Sequence, residues 1–141
     1  MSTLLDTFIA TEPRGKQRPR FVRATGRTYT PAETVKAEHQ IQARASEEYP
    51  RLPFEGPVEL RVSVFLLKPK SKPKTRPCFP TSKPDWDNYG KLVSDALNGI
   101  VWRDDAQVIR ATVGKRYCSE EHPKPGFRIT VLAVDPSEVA P

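Results

Sequence analysis

PVELRVSVFLL, residues 57–67, decides the fold class. Val58, Leu60, Val62, Val64 and Leu66 occupy every second position, and Glu59, Arg61 and Ser63 stand between them. A period of two over this length is a strand that buries one face. Upstream, residues 31–48 switch to helical signals. Thr30 suits an N-cap, Pro31 the first helical position and Glu33 the capping-box position. Val35, Ala37, His39, Ile41 and Ala45 supply a weak apolar face, and Pro50 and Pro53 end the helix. Further upstream, residues 7–10 open a short first strand. Gly15, Pro19 and Gly26 interrupt residues 13–29, where Arg20-Phe21-Val22 is compatible with a short hairpin arm.

Downstream, Pro69, Pro73, Pro77, Pro80 and Pro84 bar residues 68–84 from the inside of a sheet or helix, so this stretch reads as an extended loop. Residues 88–98 read as a second helix. Asp87 is its N-cap, Leu92, Val93, Ala96 and Leu97 its buried stripe, and Asn98-Gly99 its stop. Ile100-Val101-Trp102 leads out, Asp104-Asp105 makes a turn, and residues 108–117 form a strand. After a turn-rich connection, residues 127–134 alternate through Phe127, Ile129, Val131 and Ala133, and are expected to pair with the preceding strand as a hairpin. The sum is a small α+β (or α/β-type) domain with one mixed, mainly antiparallel sheet and two main helices. Residues 1–135 are expected to form this single domain, and 136–141 a frayed C-terminal tail.

The chain length of 141 residues suits one domain. No apolar run approaches the ~20 residues of a membrane helix, and the N-terminus lacks the layout of a secretory signal. Cys78 and Cys118 form no CxxC pair and share no zinc spacing with His39 and His122. A soluble protein of a reducing compartment is expected. The net charge is +6. Arg14, Lys16, Arg18, Arg20, Arg23 and Arg27 crowd one basic stretch; Lys68, Lys70, Lys72, Lys74, Arg76 and Lys83 crowd a second. Such clusters attract phosphates.

Against that basic background stand Asp85, Asp87, Asp95, Asp104 and Asp105, with Lys91 among them. In an extended loop Asp85 and Asp87 face the same way, and from Asp87 a helix puts Lys91 and Asp95 on one face. Converging carboxylates repel by roughly 4 kcal/mol per pair at ~4 Å, which a divalent cation relieves. Oxygen ligands alone favour Mg²⁺ or Mn²⁺ over zinc. The same residues also have plainer roles: Asp87 as a cap, Lys91 and Asp95 as a surface pair, Asp104-Asp105 as turn residues.

KPDWDNYGKLVSDALNGIVWRDDAQV, residues 83–108, closely resembles the RusA family of Holliday-junction resolvases. That family's pattern runs PDxDN, then Lys, then DAL, then a DDxQV-like segment. The resemblance implies that Asp85, Asp87 and Asp105 are the catalytic, metal-binding acids and that Lys91 is the essential lysine. Asp104 stands beside this set, and Asp95 suits a structural role equally well. Trp86 and Phe79 are candidates for an aromatic wedge at a junction centre, with packing under the acidic loop as the alternative for Trp86. The resemblance further implies a Mg²⁺-dependent endodeoxyribonuclease (Mn²⁺ substituting) that resolves four-way DNA junctions by paired symmetric nicks in recombination and repair. It implies a homodimer in the cytoplasm of a bacterium, host- or phage-encoded. Arg14, Lys16, Arg18, Arg20, Lys70, Lys72, Lys74 and Lys83 would hold DNA phosphates. The alternatives are a metal nuclease acting on forks or flaps, and a nucleic-acid-binding protein without catalysis.

Overall fold

The computed structural model describes residues 2–15, 20–29, 32–73 and 75–139, with the backbone alone at Arg20 and Tyr29. The elements run β1 (Ser2–Ala10), β2 (Arg20–Val22), β3 (Arg27–Tyr29), α1 (Ala32–Glu48), β4 (Val58–Leu66), α2 (Trp86–Leu97), β5 (Val108–Tyr117) and β6 (Gly126–Ala133). Short 3-10 turns lie at Asp105–Gln107 and Pro136–Glu138. The class is α+β, with a four-stranded sheet ordered β1-β6-β4-β5 and a separate β2-β3 hairpin. The β1-β6 and β6-β4 pairs are antiparallel, and β4-β5 is parallel.

β4 is an inner strand because its alternation lets it bury one face completely. Leu60, Val62 and Val64 meet Ile129, Val131 and Phe127 of β6 beneath the two helices. α2 contributes Tyr89, Leu92, Val93, Ala96 and Leu97; α1 contributes Ala37, Ile41 and Ala45. Each large apolar side chain buried here stabilises the fold by about 1.5–3 kcal/mol. Both helices cover the same sheet face.

Several expectations are corrected. The strand after the turn-rich connection does not pair with β5. β6 inserts between β1 and β4, where its apolar residues are buried, and β5 takes the sheet edge beside β4. α2 starts before Asn88, so Asp85 and not Asp87 holds the N-cap position. The proline loop delivers an extended residue there, with φ −70° and ψ 158°. The first strand begins at Ser2. On α1, Thr34 joins Ala37, Ile41 and Ala45 inside while His39 is exposed, so the buried stripe is rotated from the expected one. Thr30 and Pro31, the expected start of α1, lie outside the described residues.

Gly99 ends α2 with φ +82°, a left-handed conformation that glycine adopts without steric cost. Beyond β6, Asp135 accepts a 2.9 Å bond from the Ser137 amide and Glu138 pairs with Arg110 at 3.4 Å. The first turn of the expected tail is thereby docked on β5. No helix among the described residues is long and apolar enough to cross a membrane.

Candidate active site

Asp85 and Asp87 are brought to the surface by the junction between a proline loop and a helix. Three contacts position that junction. The Lys115 ammonium on β5 donates to the carbonyls of Ser82 (2.8 Å) and Pro84 (2.9 Å). The Asn88 amide donates to the Asp85 carbonyl at 3.1 Å, closing the first turn. Gly15 packs so tightly on this turn that a Cβ there would lie 2.8 Å from Pro84 Cβ and 3.1 Å from Asn88 Cβ. Gly15 is thus held against the start of α2.

Both carboxylates are exposed, and neither side chain has a hydrogen-bond or ion-pair partner among the described residues. They sit at the positive end of the α2 dipole, which favours negative charge by about 0.3–1 kcal/mol. One turn along, Lys91 Nζ lies 3.1 Å from Asp95 Oδ1. This pair is exposed on the lysine side, and such i,i+4 pairs contribute a few tenths of a kcal/mol, so Asp95 holds Lys91 only weakly.

Asp105 is built differently. The fully buried indole of Trp102 donates from Nε1 to Asp105 Oδ1 at 2.9 Å. Gln107 fastens the same turn with four bonds. Its Nε2 donates to the carbonyls of Phe54 (2.7 Å) and Gly56 (2.8 Å), and its Oε1 accepts from the amides of Arg103 and Asp104, both at 2.9 Å. A side-chain amide with every group occupied makes a rigid support. Arg103 pairs with Glu55 at 2.6 Å beside it.

The two halves stand at opposite ends of α2. Its N-terminus is beside Lys115, near the end of β5, and its C-terminus leads through Gly99 and Trp102 to Asp105, just before β5 begins. Twelve helical residues span roughly 18 Å. Ligands of one Mg²⁺ lie about 2.1 Å from it. Among the described residues no three His, Cys, Asp or Glu side chains gather to hold an ion. The donor chemistry of Asp85, Asp87 and Asp105 therefore suits a hard cation, but their placement within one chain does not bring them around one.

Trp86 is 62% exposed and Phe79 72%. Trp86 therefore does not pack under the acidic loop, because helix α2 starts at that residue and turns it outward. Phe21 on the β2–β3 hairpin is also exposed. Of the expected phosphate-binding residues, Lys70, Lys72 and Lys83 lie in the proline loop, with Lys70 and Lys83 exposed. Arg14 is engaged by Glu33 (3.3 Å) and Glu12 (3.6 Å). Lys16, Arg18 and Lys74 lie outside the described residues, and Arg20 is described by its backbone in β2 alone. Lys115, Trp102 and Gln107 also serve the site, beyond the expected residues. A lysine on an edge strand carries no local signal, and the roles of the other two depend on distant carbonyls or a buried ring.

Residues 10–131 match the family model described as endodeoxyribonuclease RusA. The chain is also 34% identical over 120 residues to a Bacillus subtilis (strain 168) protein named "Uncharacterized protein YqaN", covering 77% of this chain and 84% of that one.

Proposed function

Because the chain belongs to the RusA endodeoxyribonuclease family, we propose that it resolves four-way DNA junctions as a Mg²⁺-dependent homodimer, with residues 1–135 as its nuclease domain and 136–141 as a tail. The observation that carries the reading is the division of the acidic set between the two ends of α2. A two-fold axis crossing the β5–α2 side sets each α2 antiparallel to its copy. The Asp105 end of one then lies beside the Asp85–Asp87 end of the other. The outer edge of β5 has no strand partner among the described residues, and Ile109 on it is 54% exposed. An open strand edge with an apolar side chain is a ready pairing surface. Two such sites would meet the near two-fold symmetry of a four-way junction, and paired nicks are the natural outcome.

Asp85 and Asp87 of one copy and Asp105 of the second would hold Mg²⁺, or Mn²⁺ in its place. When bound, the ion supplies charge neutralisation at a scissile phosphate and lowers the pKa of water. The chain's own residues do the rest. Lys91 leaves Asp95 to meet the phosphate as a positive charge. Trp102 keeps Asp105 in one orientation, and Lys115 keeps the Asp85 turn in place. Arg14, Lys16, Arg18, Arg20, Lys70, Lys72, Lys74 and Lys83 would bind the flanking strands, with Trp86 or Phe79 as the wedge. The cytoplasm of a bacterial cell, with a host- or phage-borne gene, is the setting that fits.

The test is cleavage of matched four-way junction, fork and linear duplex in Mg²⁺. The proposal expects junction cutting far above the others. It also expects Asp87→Ala to lose cutting while still binding the junction. Equal cutting of duplex, or unimpaired cutting by Asp87→Ala, would contradict it.

A further inference from the structure

The sheet face away from the helices carries a basin of about 460 Å³ that the acidic site does not use. All four strands build it. Phe8 on β1 and Ser63 on β4 flank Arg128 on β6, and Gly114 on β5 faces Ser63. In the next row Phe65 on β4 faces Arg116 on β5. Gly114 has nothing near its missing Cβ, which leaves that floor open. Residues 121–124 form the wall, and His122 lies against Phe65 with ring centroids 4.8 Å apart. Phe8 meets Phe65 edge-on at 6.0 Å, and the Arg116 guanidinium lies 5.7 Å from the Phe65 ring.

The cations on this face divide sharply. Glu59 is only 7% exposed and binds Arg61 at 2.5 Å and Arg110 at 2.8 Å. Asp6 holds Arg128 at 2.7 Å. Arg116 and Lys124 have no carboxylate partner among the described residues, and both are exposed on the rim. Rings beside cations that no carboxylate neutralises are the combination that takes a base and its phosphate. The volume lies in the range of small-ligand sites.

We infer that this basin binds one unpaired nucleotide of a DNA strand, its base against Phe8 and the exposed His122 ring, which the buried Phe65 backs from below, and its phosphate on Arg116 and Lys124. Glu121, the one carboxylate in the lining, accepts from an exocyclic amino group such as cytosine N4, which thymine lacks. The site is therefore selective for an amino-bearing base. It lies across the sheet from Asp85 and Asp87, and extends the nuclease reading by a second contact that does not depend on cleavage.

The experiment titrates the full chain with fluorescent deca-deoxycytidine and deca-thymidine in EDTA, so that neither metal nor hydrolysis enters. The expected result is saturable binding, several-fold tighter for the cytidine strand. Arg116→Ser with Lys124→Ser should weaken it about tenfold, and removing two phosphate contacts should lower the salt slope by about 1.4. Glu121→Gln should narrow the preference between strands. His122 and Phe8 resonances should shift on binding. Absence of saturable binding, or affinity unchanged in the double variant, would overturn the inference. So would equal displacement by a deca-glutamate peptide, which would mark a general anion surface. Because both substituted residues are exposed, circular dichroism of the variant should match the parent.

Discussion

Trp102 and Asp105 are joined by a 2.9 Å hydrogen bond from a fully buried indole to a partly exposed carboxylate. The relationship converts core packing into the orientation of an acid at the surface. Trp102→Phe removes the donor and leaves a small void where the five-membered ring packed. The lost hydrogen bond to a charged group should cost about 1–3 kcal/mol of stability, the void should add to it, and junction cleavage should fall at least tenfold. Asp105→Asn keeps an acceptor for the indole but removes the charge, so it should abolish cleavage with little change in Tm. Parallel melting and cleavage assays separate the two effects.

Lys115 should behave as a positioning residue for Asp85. Lys115→Met removes both bonds to the Ser82 and Pro84 carbonyls while preserving the length of the stem. Cleavage should fall about tenfold through kcat with KM for the junction nearly unchanged. A pure binding role would raise KM instead.

Gly15 should tolerate no side chain. The close approach to Pro84 and Asn88 means that Gly15→Val either displaces the N-terminal segment or moves the start of α2. Overpacking of this kind costs about 1–3 kcal/mol. Urea unfolding should show the loss, and cleavage should fall with it.

Glu59 gives the fold an acid-labile element. The hydrogen bond from Arg61 is the main cause holding its carboxyl below the usual glutamate range, with Arg110 adding to it against the opposing effect of burial. A lowered folded-state pKa means that this stabilisation is present above the unfolded-state value. It is lost as pH falls through the lower folded-state value. Tm should therefore drop on acidification below the ordinary glutamate range, and Glu59→Gln should flatten that limb while lowering Tm at neutral pH.

Strand β4, both helices and the stretch from Asp85 to Asp105 were legible because their signals are local: alternation, proline punctuation, a glycine stop. The pairing of β6 was not. Phe127, Ile129 and Val131 show that the strand is buried on one face, but neither that pattern nor a permissive turn before it names the partner. Burial between β1 and β4 won over sequence proximity to β5. Helix α2 starts two residues before the expected point because Asp85 and Asp87 are equally good caps. The candidate site shows the same limit. The sequence brackets its acids within about twenty residues, yet helix α2 between them holds the two ends apart.

Subunit mixing distinguishes a site in which Asp85 and Asp87 of one copy work with Asp105 of another from one built within a single chain. Asp87→Ala and Asp105→Ala proteins, each inactive alone, are unfolded together, refolded and assayed for nicking of a four-way junction. In a mixed dimer one site carries both substitutions and the other carries neither. Random pairing should restore about a quarter of the wild-type sites, with single nicks in place of paired ones. No recovery from a mixture that has exchanged subunits would contradict the account.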